Sequence, residues 1–85
     1  MLEQQIQSKI IKKLEEDGYY VVKLIKTNKN GIPDLLVVKE NECMFIEVKR
    51  SEGKLSELQK VRIEELRSRN INCKIWQDYE CDFEY

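Results

Sequence analysis

Three charged side chains stand where a small domain should be burying apolar ones. The segment "NGIPDLLVVKENECMFIEVKR", Asn30 to Arg50, holds two apolar runs separated by a polar turn. Asp34 heads the first run, and Glu47 and Lys49 lie inside the second. Successive side chains of a strand point to opposite faces. Phe45, Glu47 and Lys49 therefore share one face, and Met44, Ile46 and Val48 share the other. Two opposite charges project side by side, about 7 Å apart along the backbone. If "KENE" is a hairpin connection, Lys39 pairs with Glu42 or Cys43. That register sets Asp34 roughly opposite Glu47 or Lys49 and brings the two acids together at one end of the sheet.

Two such carboxylates repel each other unless one is protonated or a cation sits between them. A hard divalent ion with oxygen ligands, magnesium or manganese, suits the pair. Such an ion can hold a scissile phosphate and lower the pKa of a bound water. Lys49 can then stabilise charge developing on phosphorus, or position and deprotonate that water. Spacing alone leaves a plainer alternative open. Glu47 and Lys49 can also be an exposed pair on a one-sided sheet, with Asp34 capping a turn.

These residues need elements to position them. Leu2, Ile6, Ile10 and Leu14 recur every fourth residue, which predicts an amphipathic helix ending near Asp17–Gly18 with a glycine cap. "YYVVKLIK" is rich in β-branched and aromatic residues and reads as a strand. "TNKNG" then turns the chain, Asn-Gly being a strong hairpin signal. Ile32 precedes proline and is held extended. Pro33 opens the next strand, residues 34–39. "ENE" turns again, and "CMFIEVKR" is a third strand. Residues 55–70 read as a helix with Leu55, Leu58, Ile63 and Leu66 in register, and Ser56 with Gln59 fits a capping box. "INCKIWQ" is a fourth strand. A strand, a helix and a strand in succession predict a parallel pair. The order αβββαβ implies an α/β domain around one small mixed sheet.

Composition narrows the setting. At 85 residues there is room for one domain. So short a chain buries a modest share of its surface, which makes homodimerisation a reasonable expectation. "MLEQQIQSKI" has no apolar core of the kind a signal peptide carries, and the longest aliphatic run is "LLVV". The three cysteines, Cys43, Cys73 and Cys81, are widely spaced and histidine is absent, so structural zinc is not expected. Free thiols fit the reducing cytoplasm of a bacterial or phage-infected cell. The net charge is −1, yet residues 78–85, "DYECDFEY", hold four acids and no base. Without them the chain has 15 basic and 12 acidic residues, a mildly basic body that permits nucleic-acid binding.

Pro33-Asp34 followed by Glu47-Val48-Lys49 resembles the P-D…E-x-K signature of the PD-(D/E)XK nucleases. Four further pieces stand in order: Glu3-x-x-Ile6-Gln7, Gly31-x-Pro33-Asp34-Leu35, Phe45-Ile46-Glu47-Val48-Lys49, and Gly53-x-Leu55-Ser56-x-x-Gln59. Together they look like the virus-type replication-repair nuclease domain, VRR-NUC. The likeness covers roughly residues 3 to 76, which sets a domain over 1–77 and leaves 78–85 as an acidic tail outside it. It implies a restriction-endonuclease-like core and a magnesium- or manganese-dependent DNA endonuclease. By the same likeness Asp34, Glu47, the main-chain carbonyl of Val48 and Glu3 would be metal ligands. Lys49 would be the catalytic lysine, and Gln59 would reach the site from the second helix. Read from the residues themselves, Gln59 can equally be the capping partner of Ser56. Glu3 can be a favourable charge in a first helical turn.

Small members of this family resemble dimeric Holliday-junction resolvases, so branched DNA is the expected substrate and a two-fold dimer the expected assembly. Lys23, Lys26, Lys29, Arg50, Lys54 and Lys60 flank the site and are candidate phosphate contacts. Two other expectations compete. One is a catalytically silent DNA-binding or assembly module with the same fold. The other is a protein-interaction domain using the 79–85 tail.

Overall fold

A computed structural model describes residues 2–77. The elements are α1 (Glu3–Glu16), β1 (Tyr20–Lys23), β2 (Leu35–Lys39), β3 (Glu42–Lys49), α2 (Glu57–Arg67) and β4 (Asn72–Gln77). The expected αβββαβ order is present, and the fold is α/β around a small mixed sheet. Strands run in the order β1-β2-β3-β4. The β1–β2 and β2–β3 pairs are antiparallel, and β3–β4 is parallel, as a helical crossover requires. The 79–85 tail, and with it the expected protein-interaction role, lies outside the described residues.

The two helices cover opposite faces of the sheet unequally. Ile6, Ile10 and Leu14 of α1 are almost fully buried against Leu35, Val37, Ile46, Val48 and Trp76. This is the dry core, and each such side chain contributes roughly 1.5–3 kcal/mol. The helix ends where Gly18 takes φ +92°. Tyr19 N–H donates to Leu14 O and Gly18 N–H to Glu15 O, closing a Schellman motif. The α2 side is thinner. Its buried residues include Ile63, with Cys73 beneath it on β4. Leu58, a member of the apolar stripe expected of α2, stays 41% exposed, so that stripe is only partly used. The helix spans β4 rather than the whole sheet, and among the described residues nothing covers the face of β1 beyond it.

Two boundaries differ from the pattern in the sequence. The first strand stops at Lys23 rather than running through Lys26. One more ladder bond, Leu24 N–H to Asp34 O at 2.8 Å, closes its end. The chain then leaves the sheet as a loop instead of a tight hairpin. The second helix is shorter than residues 55–70, because Ser56 caps it from outside and Leu55 precedes it. The loop between β1 and β2 is fastened to α2. Arg62 Nε donates to Asn30 O at 2.8 Å. Gly31 adopts φ +82°, and a Cβ there would lie 2.8 Å from Leu58 Cγ. A Gly31→Ala change meets both costs, conformational strain and contact. Urea unfolding should show a loss of roughly 1–3 kcal/mol. Measured in a Leu58→Ala background, the loss should shrink by the contact part alone.

Candidate active site

The β2–β3 register fixes where the acids meet. Leu35 pairs with Ile46 and Lys39 with Glu42. Asp34 precedes Leu35 and Glu47 follows Ile46, so the two acids continue the same ladder from opposite strands. Asp34 is held there by a bond of its own. Val48 N–H donates to its Oδ2 at 2.8 Å, so the carboxylate lies over the β3 backbone beside Glu47. Its main chain stays in the β1 ladder through Leu24.

Glu47 is buried, with 2% of its surface exposed. The exposed-pair alternative therefore fails for this residue. Its Oε2 accepts from Gln59 Nε2 at 3.3 Å and lies 3.9 Å from Lys49 Nζ. Its Oε1 is buried with no hydrogen-bond partner among the described residues. The Glu47 carboxyl is pushed up to about 8 from an ordinary 4.5. Burial is the largest cause, and the Asp34 charge is next, followed by a proton shared with Asp34. Lys49 opposes the shift, and Glu3 adds to it. Glu3 is thus felt at the site from the first turn of α1. Among the described residues, however, no three acidic or thiol groups come together as a ready metal cage.

Gln59 fills both roles that its position allowed. Its Oε1 accepts from Ser56 N–H at 2.9 Å, and its own N–H donates to Ser56 Oγ at 3.1 Å. That capping box leaves Nε2 free to bind Glu47. One side chain therefore starts α2 and ties it to the site. Gln7 is the residue the sequence reading quoted without giving it a role. It is 8% exposed, and its Oε1 has no partner among the described residues. It stands one turn beyond Glu3, and the signal was its place beside Ile6 on the buried stripe.

The cationic candidates divide by location. Lys26 and Lys29 line a cleft of about 300 Å³ whose lining includes Asp34. Lys23, Arg50 and Lys54 are exposed around the sheet end and its loops. Lys60 is exposed and pairs with Glu57 at 3.0 Å.

The donor set suits a hard divalent ion. Asp34 and Glu47 offer carboxylate oxygens, and the buried Glu47 Oε1 lacks any partner that a cation would supply. A cation would also cancel the repulsion that keeps Glu47 protonated.

A four-stranded mixed sheet between two helices, with a carboxylate pair and a lysine at the β2–β3 end, is a nuclease-type fold. The VRR-NUC domain family matches residues 1–77, and the chain belongs to it. A solved structure described as a VRR_NUC domain superposes with a TM-score of 0.82 at 29% identity, covering 91% of this chain and 85% of that one. No curated protein matches.

The raised Glu47 carboxyl has a thermodynamic signature. Between about 4.5 and 8 the folded chain keeps a proton there that the unfolded chain has lost. Stability tied to that proton is fully present below about pH 4.5 and is lost as pH rises through about 8. With chelator present, melting temperature should fall across that window, by roughly 4–8 °C for each kcal/mol lost. Glu47→Gln should flatten that part of the profile, and thermal melts at several pH values check it.

Proposed function

We propose that this domain is a magnesium- or manganese-dependent DNA endonuclease acting on branched DNA. The observation that carries the reading is the meeting of Asp34 with a buried, proton-holding Glu47 beside Lys49. An acid kept at such a cost in a domain this small is best explained by the ion it can bind.

Asp34 and Glu47 are the residues that would hold the ion, with the Val48 carbonyl and Glu3 as further oxygen donors. When bound, the ion polarises the scissile phosphate and makes a water acidic enough to attack it. Gln59 Nε2 holds Glu47 Oε2 and leaves Oε1 for the ion. Lys49 places its ammonium 3.9 Å from Glu47 Oε2, where it stabilises charge gathering on the phosphate oxygens. Lys26 and Lys29, on the cleft whose lining includes Asp34, hold flanking phosphates. Lys23, Arg50, Lys54 and Lys60 extend that contact.

Glu47→Gln and Lys49→Ala should each slow cleavage of a four-way junction by about 100-fold or more. Gln59→Ala should cost about 10–100-fold, because it only orients Glu47. Gel assays with each metal measure this. No cutting by the parent in either metal, or undiminished cutting by the Glu47 and Lys49 variants, sinks the reading. A silent DNA-binding module is the second reading, favoured by the missing third carboxylate among the described residues. Its mark is tight, metal-independent junction binding without cleavage.

The same reading includes a two-fold dimer. Tyr20 is 71% exposed and Val22 37% exposed on the part of the sheet that α2 leaves bare. A second copy seated over the Tyr20 end of β1, away from the Lys23–Leu35 end beside Asp34, would bury them and leave the approach to the acids open. Sedimentation equilibrium should find a dimer for the parent and a monomer for Tyr20→Glu; an unchanged mass would reject this surface.

A further inference from the structure

Ile25 is the most exposed large apolar side chain among the described residues, at 85%. A lone exposed aliphatic is common and by itself says nothing. Its placement is the informative part. It stands on the β1–β2 loop between Lys23 and Lys26, with Lys29 further along. It also forms part of the wall of the roughly 300 Å³ cleft whose lining includes Asp34.

The loop is held at both ends and in the middle. Leu24 N–H to Asp34 O closes its base. Thr27 Oγ1 donates to Lys29 O at 2.6 Å. Arg62 Nε and the Gly31–Leu58 contact fasten the far end to α2. An apolar side chain fixed in a cationic loop, on a cleft whose lining includes the acid that would hold the ion, matches what DNA contact requires there. Cations neutralise phosphates without reading sequence. An aliphatic tip can enter between base steps, at the cost of unstacking them. That cost is lowest where stacking is already broken, at a branch point, flap or nick. Continuous duplex opposes the same insertion.

We infer that Ile25 is a specificity-determining wedge. It enters the interrupted stack of branched DNA and so favours such DNA over uninterrupted duplex. The inference deepens the endonuclease reading and rests on it for the identity of the site.

The test separates the two. Binding of the parent, Ile25→Ser and Ile25→Leu to a four-way junction and to linear duplex is measured by fluorescence anisotropy without divalent metal. A 2-aminopurine base at the branch reports unstacking. Manganese titration by calorimetry follows the metal site independently. The parent should prefer the junction and brighten the probe. Ile25→Ser should lower that preference by about tenfold or more and lose the brightening. Ile25→Leu should keep both, and all three proteins should take up manganese alike. Lys26→Ala should weaken both DNAs together. A parent without junction preference overturns the wedge. So does an Ile25→Ser variant that keeps both the preference and the fluorescence change. If the serine variant loses both while the parent cuts nothing in either metal, the wedge stands and the endonuclease reading falls.

Discussion

Glu47 sets the terms for this domain. It is buried beside a second carboxylate, with one of its oxygens unpartnered. Burial disfavours its ionised form, and the Asp34 charge disfavours it further. Lys49 alone does not reverse that balance, since the carboxyl remains near 8. Asp34 cannot swing away to relieve the repulsion, because Val48 N–H and the β1 ladder hold its two ends. The strain is therefore held by the sheet. A proton resolves it; a cation held there, as the proposed function requires, would compete for the same position and release that proton.

The second helix is tied to this point by one side chain. Gln59 supplies the reciprocal half of the α2 capping box with its oxygen and holds Glu47 with its nitrogen. An N-terminus carries a partial positive charge that favours a nearby carboxylate. Thus the turn that starts the helix also contacts the site through Gln59. The β1–β2 loop is attached to the same helix through Arg62 and Leu58. A shift of α2 would move Gln59 and the cationic loop together. Site geometry and loop position are one mechanical unit.

The fold was largely legible because its signals were periodic and local. The four-residue spacing of Leu2, Ile6, Ile10 and Leu14 has one helical solution. The short "KENE" connection left the β2–β3 register almost no freedom, and that register alone brings Asp34 to Glu47. What failed was information that no local pattern contains. "YYVVKLIK" has strand composition throughout, yet only β2 decides where pairing ends, and β2 starts at Leu35. Leu58 fits the helical stripe, but the stripe faces bare loop rather than sheet at that turn. The choice between cap and ligand for Gln59 could not be made in one dimension, because its two amide atoms do different work. Gln7 gave no sign of its orphan oxygen, since burial of a polar atom depends on what the sheet places opposite it. The acidic residues 78–85 lie outside the described residues.

The unequal faces of the sheet reconcile stability with chemistry. The α1 face is closed and apolar, and it carries the core that holds so small a chain together. The α2 face is half covered, and it is the face toward which Glu47, Lys49 and Gln59 gather. If α2 reached across the whole sheet it would bury Tyr20 and Val22 and add stability. It would also shut the approach to Asp34 that the β1–β2 loop now borders. On the proposed endonuclease reading, a domain that admits a polymer as stiff as DNA to a buried acid needs one open side. The open side is then the weaker side, and stability lost there has to be recovered from the α1 core. That is consistent with the near-complete burial of Ile6, Ile10, Leu14, Ile46 and Val48 in a chain of this length.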